Sequence, residues 1–378
     1  MILVDRPDIP SPCYVLEERK LKRNLQIMRR VQTETGIHII LALKGFAMWS
    51  AFPLIKQTLQ GATASSVWEA KLAKEEMGGD VHAYSPAYKE DDIVQLAELV
   101  SHISFNSVNQ WHRHRNYLAD KSISISLRVN PEHQESDTPL YDPCAAGSRL
   151  GIRASQLRSE DLSGIDGFHV HNLCECDSFA TERTLHAIEE KFAPWLSQLK
   201  WLNIGGGHLM TQEGYNLEHL IATLQRFQKT HPHLKVIMEP GSAVAWDTGS
   251  LISEVVDIVE NDGQIAILDI SATGHMPDVL EMPYRPRVMG AGMPGDKQYE
   301  YRLGGNSCLA GDLIDTYSFD QPLQPGARLQ FEDMMHYTMV KTTFFNGVKH
   351  PAIGIMRENG EFKLIRNFDY EDFKGRLS

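Results

Sequence analysis

The sequence is short of several things, and each shortage closes off a class of protein. No apolar run approaches the roughly 20 residues needed to cross a bilayer as a helix, so a helical membrane protein is not expected. The opening MILVDRPDIPSPCYVLEERK lacks a basic stretch followed by an apolar core and a small-residue cleavage site, so a cytoplasmic location is expected. The five cysteines (Cys13, Cys144, Cys174, Cys176 and Cys308) are odd in number and scattered, unlike a disulfide framework. Lys and Arg form no stripe and the formal net charge is −12, which argues against nucleic acid and favours a cationic ligand. Internal repeats and low-complexity linkers are absent as well.

What is present is a chain of 378 residues, long enough for two domains, with 42% hydrophobic and 23% charged residues, as in ordinary globular proteins. Short β-branched runs recur at 36–44, 61–66, 80–86, 102–107, 122–130, 166–172, 200–207 and 235–241. Amphipathic segments of helical length separate them, including VWEAKLAKEEMG after Ser66, KEDDIVQLAELV after Tyr88 and NLEHLIATLQRFQKTH before Lys235. Eight alternating strands predict an α/β fold, a (β/α)8 TIM-type barrel over 16–246 with its chemistry at the carboxyl ends of the strands. Beyond Trp246 the pattern is strands alone, at 250–260, 263–271, 298–305, 327–334, 337–347, 351–356 and 361–368. These predict a second, all-β domain made of 1–15 and 247–378.

The strand ends carry the chemistry. Lys44 closes the first strand, where an apolar setting lowers an amine's pKa and makes it a Schiff-base nucleophile. Gly205, Gly206 and Gly207 end the seventh, and consecutive glycines let backbone amides close around an anion; the Lys and Ser/Thr of a triphosphate-binding loop are missing. Glu239 ends the eighth and can hold a pyridine nitrogen protonated. His169 and His171 share a face of the sixth by the period of two, and one can stack on a flat ring. With Cys174 and Cys176 they also allow a zinc site, although a CxxC knuckle and an HExxH helix are both lacking. In the second domain a glycine-bracketed loop carries Cys308 and Asp312, and His275 and Asp278 lie beyond the strand that ends near Asp269.

In order along the chain, LALKGFA (41–47), SSVWEAKLAKE (65–75), YSPAYKEDDI (84–93), YDPCAAGSRLGIR (141–153), FHVHNLCE (168–175) and NIGGGH (203–208) resemble one family. EPGSAV (239–244), GHMPD (274–278), GNSCLAGD (305–312) and HYTMVKTTFFNG (336–347) extend the likeness over nearly the whole length. It is the fold type III, alanine-racemase-like group of pyridoxal 5'-phosphate decarboxylases, with the ornithine, arginine and diaminopimelate enzymes, and within it the members acting on carboxylated polyamines. The resemblance implies that Lys44 bears the cofactor, His171 stacks on its ring, Glu239 pairs with its nitrogen, and Gly206, Gly207 and Tyr337 hold its phosphate. It further implies a homodimer with shared active sites, in which Cys308 protonates the carbanion and Asp312 contacts the substrate amine.

Two departures from the family pattern matter. Asn172, Leu173 and Cys174 stand where relatives carry Ile or Val, Gly and Ser, and Ser242 replaces the arginine of ornithine-type relatives. An extended cationic amine suits that change, which makes Ser242 and Asp278 candidate substrate contacts. The expected substrate is a cationic carboxylated polyamine. A simpler basic amino acid, a non-catalytic cofactor-binding regulator and a zinc-dependent barrel hydrolase are the other readings.

Overall fold

The computed structural model describes residues 2–135, 139–158 and 162–378. It divides into two compact units, one of residues 24–244 and one of residues 1–23 with 245–378. Among the described residues no helix is long and apolar enough to cross a membrane.

The 24–244 unit is a parallel barrel. Its first strand is broken: His38–Ile39 pairs with the eighth strand, Lys235–Met238, and Leu41–Ala42 pairs with the second, Gly61–Ala64. The third to seventh strands, Asp80–Tyr84, His102–Phe105, Ser124–Asn130, Gly167–His169 and Trp201–Asn203, complete the ring in sequence order. The strands are buried along most of their length, as expected when helices cover a parallel sheet. The intervening helices start on side-chain caps: Ser66, Ser107, Asp177 and Asn216 accept the backbone N–H of Glu69, Gln110, Ala180 and His219. The segment after Ser66 is not one regular helix; Val67–Leu72 is followed by a wider π turn, Ala73–Met77.

The other unit is a mixed sheet. Cys13–Glu17 lies at its centre, antiparallel to the long strand Gly249–Glu260 and parallel to Ala352–Met356. Leu3, Ile9, Cys13, Val15, Ile252, Ala352 and Met356 form the apolar core that fixes this amino-terminal strand. Two sequence expectations fail here. Leu313–Phe319 is a strand, paired with Tyr299–Gly304, that the sequence reading passed over. The β-branched and aromatic run at 337–347 forms turns instead: Tyr337 and Asn346 take left-handed backbone angles (φ 48° and 56°), and Thr338 Oγ1 donates back to Met334 O at 2.7 Å. Propensity for strand yields to local side-chain-to-backbone bonding.

Candidate active site

Lys44 follows directly on backbone bonds that tie it to both neighbouring strand ends. Ala42 N–H donates to Pro240 O at 3.1 Å, and Leu43 N–H to Thr63 O at 3.1 Å. Gly45 and Gly241 pack backbone to backbone; a Cβ on Gly45 would stand 2.9 Å from Gly241 Cα, and one on Gly241 3.2 Å from Gly45 Cα, so a side chain at Gly45 would force a shift. Lys44 Nζ lies 2.8 Å from His171 Nε2. Burial, and then the charge of Arg128, push the Lys44 amine below its ordinary 10.5, while burial holds His171 well below 6.5. The result is a neutral imidazole beside an amine biased toward its nucleophilic form.

Arg128 was not among the residues singled out from the sequence. It is 4% exposed, donates from Nη2 to His171 O at 2.8 Å, and lies over the Tyr84 ring at 4.5 Å from its centroid. It thereby fixes the backbone that carries His171. The sequence held a signal: Ser124, Ser126, Arg128 and Asn130 alternate with Ile125, Leu127 and Val129, a polar face inside a buried strand.

Glu239 is 7% exposed and accepts from Asn203 Nδ2 at 2.6 Å. His169 Nε2 stands 3.5 Å from its Oε2, and His82 Nδ1 3.8 Å from its Oε1. Burial raises its pKa, but His169, His82 and the Asn203 amide more than offset this and hold it below the usual carboxylate range. Burial also keeps both imidazoles below 6.5. At neutral pH the carboxylate therefore rests on N–H dipoles more than on full positive charges.

Gly205, Gly206 and Gly207 form a cradle locked against its neighbours. An added Cβ would meet Val170 O at 2.5 Å, Glu239 O at 2.5 Å and Leu173 O at 2.2 Å, respectively, and Gly207 has φ +89°. Gly205 N–H is taken by Asn203 Oδ1 at 2.9 Å. Among the described residues no backbone acceptor receives the N–H of Gly206 or Gly207. Two such amides at a strand's carboxyl end suit an anion. At the rim, Ser242 Oγ donates to Glu175 Oε1 at 3.4 Å, and Glu175 takes a left-handed backbone angle, φ 51°. Cys176 Sγ bonds to Cys174 O, and among the described residues no group of three or more His, Cys, Asp or Glu is placed to hold a metal ion.

In the sheet unit Cys308 is exposed, and its N–H donates to Asn346 Oδ1 at 2.7 Å. Tyr337 is half-buried in its left-handed conformation. Asp278 is paired with Lys341, which also reaches Glu281 at 2.6 Å. Asp312 is tied to the backbone around it. It is 3% exposed, and its carboxylate accepts the N–H groups of Ala272 (2.7 Å), Thr273 (3.2 Å) and Ser307 (3.1 Å). These bonds make it the organiser of the 305–312 loop.

A biased amine, an ionised buried carboxylate, a neutral imidazole and two open amides fit pyridoxal 5'-phosphate: an aldehyde, a pyridine nitrogen, a flat ring and a phosphate. The family model for pyridoxal-dependent decarboxylases (C-terminal sheet domain) matches residues 13–335, and the chain belongs to that family. It is a pyridoxal phosphate-dependent carboxy-lyase. It is 55% identical to the carboxyaminopropylagmatine decarboxylase of Synechocystis, over 98% of this chain and 96% of that one. With the carboxynorspermidine/carboxyspermidine decarboxylase of Campylobacter jejuni the identity is 43%, over 97% and 98%. The crystal structure of the Campylobacter jejuni carboxynorspermidine decarboxylase complexed with norspermidine superposes with a TM-score of 0.91 at 42% identity, covering 97% of this chain and 100% of that one.

Proposed function

We propose that the enzyme removes the α-carboxylate of a long carboxylated polyamine, of the kind represented by carboxynorspermidine, carboxyspermidine and carboxyaminopropylagmatine. The observation that carries this is the rim pair: Ser242, in the place of the arginine of ornithine-type relatives, leaves a hydroxyl bonded to the Glu175 carboxylate. A cationic chain is attracted there, whereas a second substrate carboxylate is repelled. Near full-length likeness to enzymes named for such substrates supports the same class. The 55% identity to the carboxyaminopropylagmatine enzyme favours, within that class, a substrate ending in a guanidinium.

When bound, the cofactor supplies an electron sink for the pair left behind by carbon dioxide. Lys44 would hold it covalently. His171 would support the ring, Gly206, Gly207 and Tyr337 would be the phosphate's holders, and Glu239 would keep the ring nitrogen charged. Cys308 gives the proton to the α-carbon, delivered from a second copy in a cytoplasmic homodimer, and Asp278 meets a distal ammonium. The barrel of 16–246 is the cofactor-binding domain in this reading. The test is carbon dioxide release by the purified enzyme from the three carboxylated polyamines against ornithine, lysine and diaminopimelate. A preference of roughly two orders of magnitude in kcat/KM for the polyamines is expected; turnover chiefly of a simple amino acid overturns the substrate class and leaves the chemistry standing.

A further inference from the structure

The reading above gives Glu239 a task and leaves His82 without one. His82 sits on the third strand, Asp80–Tyr84, and is 4% exposed. Its Nδ1 faces Glu239 Oε1 at 3.8 Å, the same oxygen that accepts from Asn203. Its Nε2 is buried and has no hydrogen-bond partner among the described residues. The flat of the ring is stacked on His102, with centroids 4.0 Å apart and planes 21° from parallel.

These facts select a tautomer. A neutral imidazole has one N–H and one lone pair. With the hydrogen on Nε2 a buried donor would lack an acceptor, at a cost of about 1–3 kcal/mol, and the Nδ1 lone pair would face a carboxylate oxygen. Placing the hydrogen on Nδ1 removes both penalties and turns the N–H dipole toward Glu239. The His102 stack fixes the plane in which that dipole lies.

We propose that His82 is a positioning residue for Glu239: as the Nδ1–H tautomer it completes, with Asn203 and His169, a buried clamp that keeps the carboxylate ionised and aimed. Each member comes from a different strand: His82 from the third, His169 from the sixth and Asn203 from the seventh. His38 on the first strand, Lys44 just beyond it, His102 on the fourth and Arg128 on the fifth are the other charged or titratable groups that act on this cluster. The clamp deepens the proposed function, since it rests on the reading that Glu239 serves the pyridine nitrogen. Under it, His82, His169 and Asn203 act through Glu239, from the barrel interior.

The experiment is NMR of the holoenzyme, with 15N-labelled histidine rings and 13C-labelled glutamate carboxyls, the Glu239 signal being identified by its loss in Glu239→Gln. The wild type is expected to show His82 as the Nδ1–H form across the neutral range. His82→Phe, which keeps an aromatic ring on His102, is expected to raise the Glu239 titration midpoint by about one unit or more. The pH-dependent absorbance of the bound cofactor should move the same way. His82→Asn, which returns a donor near the Nδ1 position, should restore both. An unchanged Glu239 midpoint in His82→Phe overturns the clamp. If that variant does not fold, the wild-type tautomer decides: an Nε2–H ring overturns the proposal. A cofactor spectrum unaltered in Glu239→Gln would instead sink the ring-nitrogen reading, while the carboxyl titration still tests the clamp.

Discussion

In the 24–244 unit the chemistry-bearing groups stand at or just past the ends of parallel strands, whereas in the other unit they hang on loops. Lys44, Arg128, His169, Asn203 and Glu239 come from five strands or their first following residues, and the ladders that fix those strands also fix them. Cys308, Asp312 and Tyr337 owe their positions to individual bonds instead. Asp312 gathers three amides, Asn346 takes the Cys308 N–H, and Tyr337 sits in a left-handed conformation that a bulky residue rarely adopts. A sheet places several residues at once, while a loop must be organised residue by residue. A substitution in the barrel should therefore remove one function cleanly, and a substitution at a loop organiser should remove several.

The largest effect expected is that of Lys44→Ala. Activity should fall by roughly three orders of magnitude or more, and the absorbance of covalently held cofactor should vanish while the far-ultraviolet circular dichroism stays unchanged. Retained absorbance would break the assignment of Lys44. Cys308→Ala should lower turnover by roughly two orders of magnitude with cofactor affinity intact, a loss confined to proton delivery. Asp312→Ala sharpens the contrast: it should cost both turnover and about 1–3 kcal/mol of stability in a denaturant titration, because one buried and two part-buried amides lose their acceptor. If Asp312→Ala lost turnover alone, the loop-organiser role would fail. Gly207→Ala puts a Cβ 2.2 Å from Leu173 O at φ +89°, so weaker cofactor binding and a loss of about 1–3 kcal/mol are expected.

The pH prediction sets the two units side by side. Burial holds His208 in the barrel at about 4 and His275 in the sheet unit at about 3. In the unfolded chain each titrates near 6.5, so below that pH the unfolded state binds protons that the folded state refuses. Stability contributed by the neutral rings is complete above about 6.5 and is lost as the pH falls toward about 4 for His208 and about 3 for His275. His208 accounts for roughly 3 kcal/mol of that slope. Calorimetry between pH 7 and 4 on His208→Asn should show a shallower decline than the wild type; an equal slope would mean that other groups govern acid unfolding.

Much of the barrel was legible because its signals are local. Eight β-branched runs alternating with amphipathic ones reappear as the eight strand positions, and the strand-end rule picked out Lys44, His171, Glu239 and the glycine run. Other features were harder to read. The strand Leu313–Phe319 was passed over, and 337–347 was read as a strand, because strand propensity describes a residue's fit to a sheet and not the presence of one. The bonding of Asp312 was not legible either, since sequence shows a carboxylate's charge but not its backbone partners.

By itself the sequence determined the periodicities, and with them the strands, the helices and the strand-end residues, because those patterns follow from backbone geometry repeated every two or 3.6 residues. Only the tertiary structure decided which of those residues meet. The polar alternation of Ser124 to Asn130 announces a buried polar face, but the bond from Arg128 to His171 O depends on the fifth and sixth strands being neighbours. His82, His169 and Asn203 converge on Glu239 from strands far apart in the chain, through contacts no longer than 3.8 Å. Electrostatics at that range depends on distance and burial, and both are properties of the closed barrel, not of the order of residues along the chain.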